Sequence, residues 1–238
     1  MYDKNLIILA GGLATRIRPL SLKTPKILIE LNGKPFAYYL FKKLEKYKFD
    51  KIIICVNHLK NEIFEFFKVN NFELDIYFVS DSDDSPGTIG ATLNAQKKFN
   101  LDKSFIMYGD TYLTIGFNKI FKKKKINSTS TLFINKNFNK YDKSNIYHDV
   151  KKNNFIYDSK LKNNINYEYI DYGLSYIFQE HLSEVMKIKK INDLKYFFDF
   201  SSKKYNLDFV ETTDLFYEIG SFDGILRFQN DKPYEKFL

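Results

Sequence analysis

Leu6-Ile7-Ile8-Leu9 is an apolar run that is followed at once by Ala10-Gly11-Gly12, and then by Arg16, Arg18 and Lys26. Glycines let a backbone turn sharply and bring its amides against a ligand, and guanidinium and ammonium groups neutralise phosphate charge. Three cations beside a glycine turn suit a triphosphate. The same strand and glycine pair is also common turn punctuation in α/β chains, so on its own it does not identify a ligand. A second group with chemical potential is Asp110, which ends the apolar run Ser104-Phe105-Ile106-Met107-Tyr108-Gly109. A carboxylate at the end of a buried strand needs a partner. Beside a triphosphate it would hold magnesium, and elsewhere it would cap the next loop. Ser85-Pro86-Gly87-Thr88-Ile89-Gly90-Ala91 feeds a helix, and alone it reads as a cap with glycines.

Taken together, Gly11-Gly12-Leu13-Ala14-Thr15-Arg16-Ile17-Arg18-Pro19-Leu20, Pro25-Lys26 and Asn32-Gly33-Lys34-Pro35 resemble the signature of the sugar-phosphate nucleotidyltransferases, the NDP-sugar pyrophosphorylases. That signature runs Gly-Gly-x-Gly-Thr-Arg-Leu-x-Pro-Leu, then Pro-Lys, then Gly-x-Pro. The resemblance implies that Leu9, Ala10, Gly11 and Gly12 bind the nucleotide and that Arg16 and Lys26 are the catalytic cations on its phosphates. Gly87-Thr88-Ile89-Gly90-Ala91 resembles the family's base and sugar segment, with Gly87 and Thr88 on the nucleotide and Gly90 on the sugar. Asp110 matches the family's metal-binding aspartate. Phe216-Tyr217-Glu218-Ile219-Gly220-Ser221 resembles its closing Asp-x-Gly-Thr, which makes Glu218 the second Mg²⁺ ligand. Lys160 and Gly173 are the nearest matches to the lysine and glycine that contact the sugar phosphate, although Ser159-Lys160-Leu161 replaces the usual Glu-Lys-Pro. Asp171 is a further candidate for hydroxyl recognition, against an ordinary half-exposed strand. The departures are Ala14, Ile89 and Glu218.

These groups need elements to position them. Helical spacing follows Pro35, with Leu40 and Leu44 on one face. Strands are expected at 51–57 and 75–79, with a helix at 62–68 between them and another from 87 to about 99. This βαβαβ rhythm predicts a Rossmann-like, doubly wound, mostly parallel α/β sheet whose ligands lie off the carboxyl ends of its strands. Residues 136–147 read as polar loop. The segments 153–160 and 167–178 read as paired strands of a small antiparallel sugar-binding extension. Residues 180–205 read as helical, a late strand lies at 207–210, and 222–228 resembles the family's short final helix.

A chain of 238 residues suffices for one domain, 1–238. Cys55, the single cysteine, sits in an apolar run and excludes an internal disulfide framework. No apolar run approaches the roughly 18 residues of a membrane span, and no signal-peptide pattern follows Met1, so the expectation is a cytoplasmic chain with no membrane span. Thirty-seven basic against 29 acidic residues give a net charge of +8, which attracts polyanions of any kind. The run Lys122-Lys123-Lys124-Lys125 lacks interleaved stacking residues and reads as a solvated helix end, so nucleic acid is not expected as a partner. The substrates implied are a nucleoside triphosphate, GTP before the others, and a sugar 1-phosphate of mannose or manno-heptose type. Alternatives are a cytidylyltransferase acting on a sugar, polyol or choline-like phosphate, a glycosyltransferase whose nearest Asp-x-Asp is Asp81-Ser82-Asp83, and a non-catalytic RNA-binding protein. Homodimer formation stays open.

Overall fold

The computed structural model describes residues 3–80, 87–122, 129–204 and 206–237. The acidic stretch 81–84, the turn at 85–86 and lysines 123–125 lie outside them. The chain enters on β1 (Asn5–Leu9), whose Leu6, Ile7 and Ile8 are fully buried, as befits a Leu/Ile run inside a parallel sheet. Three single-turn 3-10 helices and the two-residue ladder of β2 (Glu30–Leu31) and β3 (Lys34–Pro35) lead to α1 (Phe36–Leu44). Then follow β4 (Lys51–Val56), α2 (Lys60–Val69), β5 (Ile76–Ser80), α3 (Gly87–Lys98) and β6 (Lys103–Tyr108). β4 and β6 flank β1 in parallel, with Ile7 opposite Ile53 on one side and Ile106 on the other, and β5 adds beyond β4. The chain therefore leaves β1 in one direction and returns on its other side. Such a reversal of strand order opens a crevice beyond the carboxyl ends of β1 and β6.

The second half runs β7 (Thr111–Leu113), α4 (Phe117–Phe121), β8 (Thr131–Lys136), β9 (Ile146–Asp149), β10 (Asn154–Tyr157) and β11 (Tyr169–Phe178). It closes with α5 (Gln179–Ile188), α6 (Leu194–Lys203), β12 (Asp208–Thr212), β13 (Phe216–Glu218) and α7 (Phe222–Asp231). β11 lies antiparallel to β6 and β8, and β9 and β10 extend its edge, while β12 runs parallel to β8. The result is the expected mixed α/β fold, a largely parallel Rossmann-like sheet with an antiparallel extension.

Two local expectations need correction. The partner of the strand at 154–157 is β9, which begins at the end of the stretch read as polar loop, and not β11. β9 buries Ile146 but leaves His148, on the same face, exposed, and four residues of edge strand carry too little apolar pattern to stand out. The helical stretch 180–205 is two helices. Asp193 breaks it, because its side chain accepts the Lys195 N–H at 3.1 Å and caps α6.

The abundant aromatics do structural work near the crevice. The rings of Phe36 on α1, Tyr112 on β7 and Phe228 on α7 meet pairwise at centroid separations of 6.4, 5.3 and 5.5 Å. Tyr39 stacks on Tyr234 at 4.0 Å beyond the end of α7. Edge-on and offset rings add directional preference to apolar burial, so this cluster fixes β7 and α7 against α1. Ala14 is held differently. It adopts φ +49° and ψ +44°, the left-handed conformation that glycine reaches without strain, at the position where the family pattern has glycine. Ala14→Gly should therefore raise stability by a few tenths to about 1 kcal/mol, the relieved Cβ strain exceeding the added chain entropy. A urea midpoint unchanged or lowered would contradict that account.

Candidate functional site

A cleft of about 280 Å³ opens at the carboxyl ends of β1, β4 and β6. Leu9, Ala10, Gly11 and Gly12 form one wall, and Gly87, Thr88 and Ala91 of α3 form another. A methyl group built on Gly12 would meet no protein atom within 4 Å, so the space over the loop is open to a ligand. Cys55, Asn57 and Tyr108 also line this cleft, a role their positions at strand ends do not disclose, since such ends look alike whether or not they face a crevice. Ile89 is fully buried against the sheet, and Gly90 is buried with it inside α3. The bulk of Ile89 thus falls in the core and not in the cleft.

The start of α3 is fastened to the loop before α6. Ile89 N–H donates to Asn192 O at 3.1 Å, the Thr88 hydroxyl donates to Asp193 Oδ1 at 3.3 Å, and Leu194 N–H donates to Thr88 Oγ1 at 2.8 Å. Gly87 has φ +83°, and a Cβ there would run into Asn192 O. Thr88 is therefore a strut between two segments as well as part of the cleft wall.

Asp110 stands where this cleft meets a second one of about 350 Å³, which it lines together with Thr88 and Tyr108. β7 begins directly after Asp110 and pairs with β13, placing Glu218 opposite Thr111, while Ile219 N–H donates to Asp110 O at 2.9 Å. This short ladder converts two residues more than a hundred positions apart into neighbours. A Cβ on Gly220 would lie 3.4 Å from Asp110 Oδ2 and would overlap Glu218 Oε1, so both carboxylates crowd one point. Each has a cation. Lys26 Nζ meets Asp110 Oδ2 at 2.6 Å, and Arg16 Nη2 lies 3.7 Å from Glu218 Oε1. Burial and the neighbouring Asp110 push the Glu218 carboxyl up to about 7, with Arg16 and Lys26 pulling the other way.

The second cleft continues between β11 and the loops before β9 and α6. Asp171 and Gly173 line it, and Gly173 N–H donates to Asp171 Oδ1 at 2.8 Å. Lys143, Asn145, Tyr157, Asp193 and Lys195 line it too, none of them singled out in the sequence. Lys160 is exposed and lines neither cleft.

Burial pushes the Asp171 carboxyl from an ordinary 3.8 up to about 7, against the Gly173 N–H and assisted by Glu218. The folded chain thus keeps this proton to a higher pH than the unfolded chain, so the stability the group contributes is full below about pH 4 and is lost as pH rises toward 7. Asp171→Asn should flatten the fall of stability between about pH 5 and 7 by at most ~1.4 kcal/mol per pH unit, read from urea midpoints. An unchanged slope would show that Asp171 titrates normally.

Residues 5–142 match the nucleotidyl transferase family. The chain belongs to that family. Over 137 residues the chain is 28% identical to the D-glycero-alpha-D-manno-heptose 1-phosphate guanylyltransferase of Campylobacter jejuni, a match covering 58% of this chain and 59% of that protein. Over 62 residues it is 44% identical to the choline-phosphate cytidylyltransferase of Streptococcus pneumoniae, covering 26% of this chain and 27% of that one. The crystal structure of HddC from Yersinia pseudotuberculosis complexed with GMP-PN superposes with a TM-score of 0.75 at 21% identity, covering 96% of this chain and 99% of that chain, a likeness of fold. The chain spans less than two thirds of the length of the curated relatives it matches. Among the described residues, no helix of the chain is long and apolar enough to cross a membrane.

Proposed function

We propose that the chain joins a nucleoside triphosphate to a sugar 1-phosphate, releasing pyrophosphate and an NDP-sugar. The observation that carries this reading is the convergence of Asp110 and Glu218 at the meeting point of two clefts, one walled by the glycine loop and one by polar side chains. In that arrangement the first cleft takes the triphosphate and the second takes the acceptor. An acceptor phosphate oxygen then attacks the α-phosphorus in line, and the bond to the leaving pyrophosphate breaks opposite it. Arg16 and Lys26 neutralise phosphate charge, and alignment of the two reactants supplies much of the rate.

The donor set suits Mg²⁺. Among the described residues no cluster of three or more His, Cys, Asp or Glu side chains could hold a metal, and Mg²⁺ is commonly bound by one or two carboxylates with substrate phosphates completing its shell. Asp110 and Glu218 would be those carboxylates, and the ion would supply charge neutralisation at the α-phosphate.

GTP with a mannose-type 1-phosphate is the first choice, supported by the likeness to the Campylobacter guanylyltransferase. The second reading is cytidylyl transfer to a choline-like phosphate, supported by the higher identity over the 62 residues shared with the Streptococcus cytidylyltransferase. Pyrophosphate release from each of the common NTPs with mannose 1-phosphate, manno-heptose 1-phosphate, a polyol phosphate and phosphocholine separates them. Turnover of CTP with phosphocholine alone would favour the second reading, and no release from any pair would sink both.

A further inference from the structure

The second cleft draws its lysines from places the family pattern does not indicate. Asp158 accepts the Lys160 N–H at 3.1 Å and the Tyr167 hydroxyl at 2.7 Å, and Leu161 follows in the left-handed conformation with φ +51°. This turn carries Lys160 out to solvent. α6 lies along the same strand end, because Asp199 accepts the Ser159 N–H at 3.0 Å and the Ser159 hydroxyl as well. Lys195 is four residues before Asp199, one helical turn away on the same face, and it lines the cleft. Lys143 lines it from the loop before β9. Unlike Arg16 and Lys26, neither lysine forms an ion pair among the described residues, although Lys195 Nζ lies 4.9 Å from the Tyr196 ring centre and Asp142 and Asp193 line the same cleft, so each ammonium can still turn its charge to an anion. The same cleft presents acceptor atoms. Asn145 Oδ1 is buried with no hydrogen-bond partner among the described residues, and Asp171 lies nearby on β11. An unmatched buried acceptor such as Asn145 Oδ1 calls for a donor, which a hydroxyl group supplies and a trimethylammonium group does not.

We propose that Lys195, aided by Lys143, holds the phosphate of a hydroxyl-bearing phosphomonoester in the second cleft, the task the family pattern gives to a strand lysine at position 160. The assignment rests on the transfer reading of the site for the acceptor's role, though not for its binding. The test combines two readouts. In the first, the protein is acetylated at lysine by an N-hydroxysuccinimide ester with and without mannose 1-phosphate, mannose or phosphocholine, and each lysine is followed by mass spectrometry. Mannose 1-phosphate should protect Lys195 and Lys143, mannose should not, and phosphocholine should protect less. In the second, Lys195→Ala should raise KM for the acceptor by about 10- to 100-fold with kcat and the KM for the NTP little changed, and Lys195→Arg should recover most of the loss. Protection of Lys160 with Lys195 still modified would overturn the proposal, and so would an acceptor KM within about twofold of wild type in Lys195→Ala. Protection of Lys195 in a protein that releases no pyrophosphate would support this assignment while refuting the transfer reading. Pyrophosphate release without protection of Lys195 would refute this assignment alone.

Discussion

Asp110→Asn should lower pyrophosphate release by about 10³-fold or more while the chain still unfolds cooperatively. Asparagine keeps the shape of aspartate but not its charge, so the change tests electrostatics and not packing. Asp110 lines both clefts and pairs with Lys26 at 2.6 Å, which puts its carboxylate where the reacting groups of two ligands could meet. Losing the charge also leaves the Lys26 ammonium without its partner, while it relieves the crowding of Asp110 against Glu218. These effects on stability oppose each other, so the melting temperature should move far less than the rate. Turnover within about tenfold of wild type would remove Asp110 from the chemistry.

Gly220→Ala should have the next largest effect. The new Cβ would overlap Glu218 Oε1 and approach Asp110 Oδ2 to 3.4 Å. The obstacle is the free end of a flexible side chain, so Glu218 can swing aside at a stability cost below about 1 kcal/mol, but the paired carboxylates are then separated. A loss of about 10²-fold in turnover with a nearly unchanged melting temperature is expected. Gly224→Ala provides the contrast. Its Cβ would run into the backbone carbonyl of Glu218, which cannot rotate away, and a destabilisation of about 3 kcal/mol or more should follow. If both variants lose activity and stability together, the crowding at Gly220 is structural and not a feature of the site.

The parts of this protein that could be read in advance are those written locally. β1 and its glycine turn, Lys26 after Pro25, and Asp110 at the end of β6 each follow from a few contiguous residues, and they fall at one crevice because parallel strands with crossover helices put their carboxyl ends together. Glu218 could be matched by its motif, but its place beside Asp110 depends on the β7–β13 ladder, whose strands are three residues each and too short to show a pattern. Lys195, Asp193 and Asn145 were invisible for a different reason. Lys195 and Asp193 come to β11 through the docking of α6 over β10, and Asn145 through its backbone bond to Tyr169 O, both long-range events that helical periodicity does not encode. The departure at Ile89 falls within the base and sugar segment and yet is core packing, because helix phase and not sequence position decides which side chain faces the cleft.

The strut of Thr88 between α3 and the loop before α6 has a thermodynamic consequence. The wall of the first cleft and the wall of the second are, at Thr88 and Asp193, one hydrogen-bonded unit. Whatever free energy the first ligand spends or gains in ordering that unit is already settled when the second arrives. Linkage then requires that each ligand alter the other's dissociation constant by the same factor, whichever binds first.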